Sequence, residues 1–233
     1  MRHRIIRKIL VGFSLVLLLA IAAARAQESK DPWDGPNRDK WQCPEQVMDV
    51  LGLKPGSWVA DVGCGSGYFT YHLADRVTPQ GRVYAVDIRE KLISQISHQS
   101  LSKWLIQIKP VLGAPDNPRL PRGRFDAIML VHSYHEMPEH DAMTEAFYRG
   151  LRPGGRLGIV EFAAPDTQPR DESYKRHKIP ASTVKEEILH HGFQFVATEP
   201  GFTVPGEDWA KQYFLVFAKP EQWKCRDSSL RSE

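Results

Sequence analysis

The sequence predicts an α/β fold in which a mostly parallel sheet carries helices on both faces, within a domain spanning residues 45–219. Apolar runs of strand length alternate with segments of helical periodicity along most of the chain. The first run, residues 58–62, enters a bend that contains Gly63, Gly65 and Gly67, and a helical segment follows. Such a bend lets a ligand lie against bare backbone and directs the N–H groups of a helix N-terminus toward it.

The predicted elements follow one another in a regular order. Strands are expected at residues 58–62, 82–87, 104–112, 125–131, 156–162, 193–198 and 213–218. Helices are expected at residues 44–53, 66–76, 89–102, 138–151 and 182–191. Three prolines make residues 113–124 a loop, and the apolar run 125–131 is typical of a strand that is covered on both faces. Residues 152–155 are predicted to be a tight turn, and Ser182 is the expected cap of the last helix.

The N-terminus has the pattern of a secretory signal. Residues 1–8 are basic, residues 9–24 are apolar apart from one serine, and Ala24 and Ala26 are small residues at the positions that a signal peptidase reads. We therefore expect residues 1–26 to direct export to the periplasm or the medium. The alternative is an uncleaved membrane anchor at residues 9–24, although this stretch is short for a membrane span.

Outside the core domain, residues 27–44 are polar and contain prolines and two tryptophans, so an extended arm is expected there. Residues 220–233 form a polar tail. Three cysteines leave at least one thiol free in an exported protein. Cys64 is expected to be a small packing residue, whereas Cys43 and Cys225 have the option of bridging the two ends of the domain.

Composition excludes some classes of function. Hydrophobic residues make up 42% of the chain and charged residues 25%, which is typical of a globular protein and argues against wholesale disorder. The net charge is +3, and much of this excess lies in the first eight residues. Because the rest of the chain has no basic stripe with interleaved aromatics, no nucleic-acid partner is expected.

Two acids complete the pattern around the glycine bend. Asp61 precedes it, and Asp87 ends the next strand-like run, where an α/β sheet often binds a ribose. The spacing G-x-G-x-G differs from the G-x-G-x-x-G of dinucleotide sites, which weakens a nicotinamide-dependent oxidoreductase as an interpretation. The run V-A-D-V-G-C-G-S-G followed by V-Y-A-V-D resembles the first two motifs of class I S-adenosylmethionine-dependent methyltransferases.

This resemblance implies a Rossmann-like sheet of seven strands in the order 3-2-1-4-5-7-6, with the seventh strand antiparallel, and S-adenosylmethionine as the cofactor. It also implies that residues 27–44 lie over the cofactor as a lid; packing of this arm on the domain surface is the alternative.

The resemblance assigns roles at the strand ends. The glycines would approach the methionine portion of the cofactor, Asp61 its ammonium group, and Asp87 both ribose hydroxyls. Ile88 would pack on the adenine, and Asp116 would accept from the adenine amino group unless it forms an Asx turn before Pro118. The residues expected to contact the cofactor are Asp61, Gly63, Gly65, Gly67, Asp87, Ile88, Asp116, Asn117 and His132.

The end of the fourth strand carries the richest polar cluster, residues 132–137. The run Tyr134-His135-Glu136 resembles that of a group of bacterial methyltransferases. His135 would be a general base, Tyr134 would orient cofactor or substrate, and Glu136 would bind a cationic acceptor. The alternative is that these side chains only shape the pocket. The rest of the acceptor pocket is expected from residues 33–41 and 163–179.

The same run contains side chains that could bind a metal ion. His132, His135, Glu136 and His140 are potential ligands, but the two first histidines are not spaced i, i+4 on a helix, so no metal is expected. His177 either reaches the acceptor pocket or is a solvated loop residue.

The function predicted from these features is methyl transfer from S-adenosylmethionine to an oxygen, nitrogen or sulfur nucleophile of a small molecule, by in-line displacement. Because this cofactor is made in the cytoplasm, export favours an alternative: a non-catalytic module that binds a small, adenosine-like ligand.

Overall fold

A computed structural model describes residues 35–199 and 211–221. The chain divides into two compact units, residues 1–40 and residues 41–233. The second unit contains the sheet and every residue discussed below as part of a candidate site.

The described helices and strands alternate as the sequence predicts. The strands are β1 (Trp58–Val62), β2 (Arg82–Asp87), β3 (Ile108–Leu112), β4 (Phe125–Val131), β5 (Leu151–Phe162), β6 (Gln194–Glu199) and β7 (Gln212–Ala218). The α-helices are α1 (Gly35–Gln42), α2 (Pro44–Val50), α3 (Tyr68–Val77), α4 (Glu90–Ser102), α5 (His140–Gly150), α6 (Ser173–Arg176) and α7 (Ala181–His190). Two single-turn 3₁₀ helices lie at Tyr134–Glu136 and Arg170–Glu172.

The strands form one sheet in the order β3-β2-β1-β4-β5-β7-β6, which confirms the predicted topology. Strands β1 to β5 pair in parallel, whereas β7 is antiparallel to both β5 and β6. In parallel strands the carboxyl ends share one edge of the sheet, and the strand order reverses between β1 and β4. This edge is where the glycine bend and the polar cluster meet.

Two apolar layers cover the faces of the sheet. One contains buried residues of α2, α3 and α4, such as Met48, Leu73 and Ile96. The other contains buried residues of α5 and α7, such as Phe147 and Ile188. The central strands are therefore buried on both sides, which explains their nearly continuous apolar sequence.

The prediction of an extended arm before β1 is wrong for its described part, because residues 35–42 form α1. Trp41 at the end of this helix is 6% exposed and belongs to the core of the larger unit. Tertiary burial here outweighs the poor helix propensity of the proline, asparagine and aspartate in this segment.

One further prediction, the tight turn before β5, is corrected by the structure. Residues 152–155 lie within β5 and form an irregularity in its pairing, because Phe125 pairs with Leu151 while Ala127 pairs with Arg156. Residues 163–179 include the short helix α6.

The start of α7 also differs from the prediction. This helix begins one residue earlier, and the Ser182 hydroxyl donates a hydrogen bond to Asp166 at 2.6 Å instead of capping the helix.

The predicted signal or anchor at residues 1–26, Trp33, Cys225 and the end of the tail lie outside the described residues. Within the described ranges, no helix is both long and apolar enough to cross a membrane.

Candidate active site

The glycine bend is fixed against the ends of β2 and β4. The N–H groups of Gly63 and Cys64 both donate to the Val86 carbonyl, at 2.8 and 3.0 Å. A Cβ atom on Gly63 would come within 2.3 Å of the Ser133 Cβ, so this glycine permits close packing of the bend on the end of β4. By contrast, a Cβ on Gly65 would meet no atom within 4 Å. Gly65 therefore presents bare backbone to an open side of the bend.

Asp87 lies at the end of β2, and its carboxylate ties the bend to the next loop. It accepts hydrogen bonds from the N–H groups of Gly65 at 3.0 Å and of Arg89 at 2.9 Å. The Arg89 guanidinium binds both carboxylate oxygens, each at 2.9 Å. Burial by itself would raise the pKa of the Asp87 carboxyl, but these hydrogen bonds outweigh it and the pKa lies below its ordinary value.

Asp61 is held inside the domain beneath the bend. It is 3% exposed, and it accepts a hydrogen bond from the Thr70 hydroxyl of α3 at 2.7 Å. Beside it, burial raises the pKa of the Cys64 thiol well above its usual range, and the charges of Asp61 and Asp87 raise it further. The prediction that Cys64 is a packing residue agrees with its burial in the core cluster.

The adenine side of the predicted site is exposed. Ile88, directly after Asp87, is 61% exposed and offers an apolar surface. Asp116 is also exposed. Its neighbour Asn117 accepts a hydrogen bond from the Arg119 N–H at 2.8 Å, so the Asx turn in this loop is made by Asn117.

A buried carboxylate, Glu161 of β5, organises the end of β4. Its Oε1 accepts the backbone N–H groups of Tyr134 at 2.7 Å and His135 at 3.1 Å. Its Oε2 lies 2.8 Å from Nδ1 of the His135 ring. Because a carboxylate only accepts, Nδ1 carries a hydrogen, and in the neutral ring the lone pair is on Nε2. Both side chains are buried, at 0% and 3% exposure.

The structure corrects the role expected for Tyr134. Its side chain is fully buried in the core cluster beneath the sheet, and its hydroxyl donates to Glu187 at 2.8 Å. Burial raises the pKa of this hydroxyl, and the Glu187 charge adds to the effect. Tyr134 is therefore a packing residue that anchors the 3₁₀ turn, with no surface to offer to a bound molecule.

The potential metal ligands combine differently from the sequence-based expectation. His132 stacks its ring on Phe162, with centroids 4.1 Å apart, and the His140 ring lies 3.4 Å from Glu187. Instead, His177, the residue directly after α6, lies beside His135 and Glu136. Ligand atoms of these three residues lie within 4.8 Å of one another.

Sequence reasoning missed Glu161 and Arg89. An acid in the otherwise apolar run of β5 is a signal, because a carboxylate in a strand covered on both faces needs buried partners. Arg89 gave no such signal, since its pairing with Asp87 depends on the local turn.

The segment of the chain that runs from β1 into β5 matches a known protein family. Residues 59–155 match the family described as "Methyltransferase domain". The chain is 32% identical over 115 residues to nocamycin O-methyltransferase of Saccharothrix syringae, an alignment that covers 49% of this chain and 41% of that protein. It is 26% identical over 126 residues to demethylmenaquinone methyltransferase of Geobacillus sp. (strain WCH70), covering 54% and 53%.

Solved structures show the same fold. A SAM-dependent methyltransferase from Aquifex aeolicus superposes with a TM-score of 0.66 at 22% identity, covering 79% of this chain and 94% of that one. The cyclase SpnF superposes with a TM-score of 0.68 at 18% identity, covering 83% and 86%.

The sheet order and the family match define a methyltransferase-type α/β domain. Residues 59–155 are similar to this methyltransferase family, and the sheet has the strand order that the resemblance to class I S-adenosylmethionine-dependent methyltransferases implies. It spans about half the length of the two curated relatives described above.

Proposed function

We propose that the protein transfers a methyl group from S-adenosylmethionine to an oxygen, nitrogen or sulfur atom of a small molecule. The observation that carries this proposal is the pairing of the open backbone at Gly65 with the Asp87 carboxylate at the end of the neighbouring strand. The family match over residues 59–155 supports the same cofactor.

The described residues fit this cofactor. Asp87 has two oxygens for the ribose hydroxyls, Ile88 offers an exposed apolar surface to the adenine, and Gly65 lets the ligand approach the backbone. When bound, the cofactor supplies a methyl group activated by attachment to a positively charged sulfur.

Arg89 is the residue that would have to move. Its guanidinium holds the two Asp87 oxygens that the ribose hydroxyls need, and its side chain is 60% exposed. The Asp87 side chain is only 3% exposed, so breaking this pair would be costly unless the ribose hydroxyls replace the hydrogen bonds that Arg89 gives up. The backbone N–H groups of Gly65 and Arg89 would keep the carboxylate in place during the exchange.

The acceptor would lie at the end of β4, where Nε2 of His135 is the ring nitrogen that carries the lone pair. This nitrogen would accept a hydrogen bond from the nucleophile, and Glu161 would fix the ring at the position where that bond forms. One of the named relatives is an O-methyltransferase. We therefore place hydroxyl groups first among the acceptors to be tested.

Calorimetric titration of the full chain with S-adenosylmethionine and with its demethylated product tests the cofactor. Transfer from methyl-labelled cofactor to a panel of phenols, amines and thiols tests the reaction. We expect saturable binding and a labelled product. Binding without any product would favour the non-catalytic module instead. The cyclase SpnF has the same fold, so the fold is not restricted to one reaction. Absence of binding at millimolar cofactor would refute the proposal.

We further propose that the protein is exported, on the signal pattern of residues 1–26. Mass spectrometry of the protein from separated cell fractions would locate its N-terminus. A chain beginning at Gln27 in the exported fraction supports export. An intact N-terminus in the membrane fraction supports the anchor instead.

A further inference from the structure

We propose that His135, Glu136 and His177 form a binding site for a single divalent transition-metal ion, with Zn²⁺ as the best match. The three ligand atoms come from two segments that meet beside the end of β4. The inference rests on side-chain geometry and requires neither cofactor nor methyl transfer.

The separations of the three ligand atoms fit a metal ion between them. Nε2 of His135 lies 3.4 Å from Nδ1 of His177 and 3.9 Å from Oε1 of Glu136, and the last two atoms are 3.8 Å apart. Ligands at about 2.0–2.1 Å from a tetrahedral zinc ion are about 3.3 Å from one another. The site is therefore slightly wider than a loaded one, and all three distances exceed the range of about 2.7–3.2 Å for a good N–H···O hydrogen bond.

The chief alternative is a direct hydrogen bond between the two rings. Nδ1 of His177 would then donate to Nε2 of His135, but at 3.4 Å this bond would be weak. It would also leave Glu136 without a function in the cluster, since the carboxylate is nearly equidistant from both nitrogens. One ion between the three groups would instead use one ligand atom of each residue.

Glu161 prepares the most buried ligand. It accepts the Nδ1 hydrogen of His135, so the lone pair is available on Nε2, as in the carboxylate–histidine–metal arrangements of many metalloproteins. It also accepts the backbone N–H of His135, which fixes the ring relative to β5.

The same strand places His177. The N–H of Ile179 donates to the Phe162 carbonyl at 3.1 Å, directly after Glu161 in β5. His177 itself has φ 51°, a left-handed conformation that ends α6 and turns the chain toward this contact. Both segments that carry the ligands are thus hydrogen-bonded to neighbouring residues of β5.

An ion would have access to the site and a free coordination position. The side chains of Glu136 and His177 are 47% and 66% exposed, whereas His135 closes the inner side. Three protein ligands with one open position are typical of catalytic zinc, whereas structural zinc has four. In the proposed enzyme, the open position would take water or the oxygen of an acceptor. Nε2 of His135 would then be a metal ligand, and the ion would activate the acceptor by lowering its pKa.

One neighbouring charge opposes the ion. Hydrogen bonding to Asp87 raises the pKa of the Arg89 guanidinium, and the charge of the Glu136 carboxylate raises it further, so Glu136 lies within electrostatic range of Arg89. However, Arg89 is already paired with Asp87, which offsets most of its charge toward the site.

The test is calorimetric titration of the full, untagged and metal-stripped chain with ZnCl₂ in the absence of cofactor. We expect one ion per chain. Titration with CoCl₂ should give the intense visible bands of four-coordinate cobalt. Replacing His177 by alanine should weaken binding by more than the ten- to hundredfold that follows loss of a second-shell partner. His177 is exposed, so this variant should fold normally.

The matched control is His98→Ala, which removes an exposed histidine of α4 and should bind like the wild type. Equal loss in both variants, or wild-type affinity in His177→Ala, would overturn the proposal. Because binding is measured without cofactor, failure here leaves methyl transfer standing, and failure of methyl transfer leaves this site standing.

Discussion

Replacing Glu161 by glutamine should reverse which nitrogen of the His135 ring carries the hydrogen. The two backbone N–H groups of the 3₁₀ turn, from Tyr134 and His135, are fixed donors and will keep the remaining carbonyl oxygen of glutamine. The new amide NH₂ must then face Nδ1, 2.8 Å away in the wild type. Since an amide NH₂ only donates, Nδ1 becomes the acceptor and the hydrogen moves to Nε2.

The stability cost can be bounded from the three hydrogen bonds. A hydrogen bond to a charged group contributes about 1.5–3 kcal/mol, and one between neutral groups about 0.5–1.5 kcal/mol. Three bonds weakened by about 1 kcal/mol each, partly offset because no charge is buried, give a loss of about 1–3 kcal/mol. For a domain of this size the melting temperature would fall by roughly 3–10 °C.

The chemical effect should exceed the effect on stability. With its hydrogen on Nε2, the His135 ring has no lone pair for a proton or a metal ion in the gap next to Glu136 and His177. Zinc affinity should therefore fall by about ten- to hundredfold, as expected for loss of a second-shell carboxylate.

Nitrogen NMR of protein labelled at histidine nitrogen would report the tautomer directly. The control is Glu187→Gln, which alters a partly buried glutamate whose partners include Tyr134 and Arg170 and which, among the described residues, has no hydrogen bond to His135. It should lower stability without changing the His135 tautomer. A spectrum in which Glu161→Gln retains the hydrogen on Nδ1 would show that Glu161 does not set the ring.

Three further predictions concern the glycine bend. The pKa of Asp87 is lower in the folded protein than in the unfolded chain, so its ionised carboxylate stabilises the fold. This stabilisation is complete above the ordinary aspartate pKa of about 3.9 and is lost as the pH falls through the folded pKa. The difference in urea stability between the wild type and Asp87→Asn should therefore shrink between pH 7 and pH 3. Gly63→Ala should lower the free energy of unfolding by about 2–5 kcal/mol, because the new Cβ clashes with Ser133 and φ is 76°. Gly65→Ala should lower it by only about 1–2 kcal/mol, because φ is 58° but the space around the Cβ is open. Equal losses in chemical unfolding would contradict this difference. Cys64, in a variant whose other two cysteines are serine, should react with a thiol reagent at pH 8 only after unfolding, and rapid reaction of the native protein would contradict the burial of this thiol.

Much of the fold could be predicted from sequence because its signals are local. Strands β1, β2 and β4 have the predicted bounds, since each is an apolar run flanked by glycine, proline or charged residues. The sheet order came from the motifs around Gly65 and Asp87. Helix α1 was not predictable in this way, because burial of Trp41 in the core opposes the local preferences of its sequence.

The polar site was less predictable because its parts are distant in sequence. Of the potential ligands in residues 132–140, which are His132, His135, Glu136 and His140, the structure brings only His135 and Glu136 into one cluster. The cluster in the structure pairs His135 with His177, which lies beyond β5, and it depends on Glu161 inside that strand. The pairing of β4 with β5 and the hydrogen bond from Ile179 to Phe162 bring these segments together.

The candidate site opens to solvent, but its geometry depends on Glu161, which is buried in the core. Burying a carboxylate in a sheet covered on both faces is costly unless its oxygens are paired, and here three N–H donors meet that requirement. The same bonds leave His135 one orientation relative to β5, and the adjacent Phe162 carbonyl fixes the segment that carries His177. Two ligands from a turn and a loop are thereby held by neighbouring positions of one strand. A site assembled in this way has the geometric precision that proton transfer or metal binding requires, while Glu136 and His177 keep it accessible.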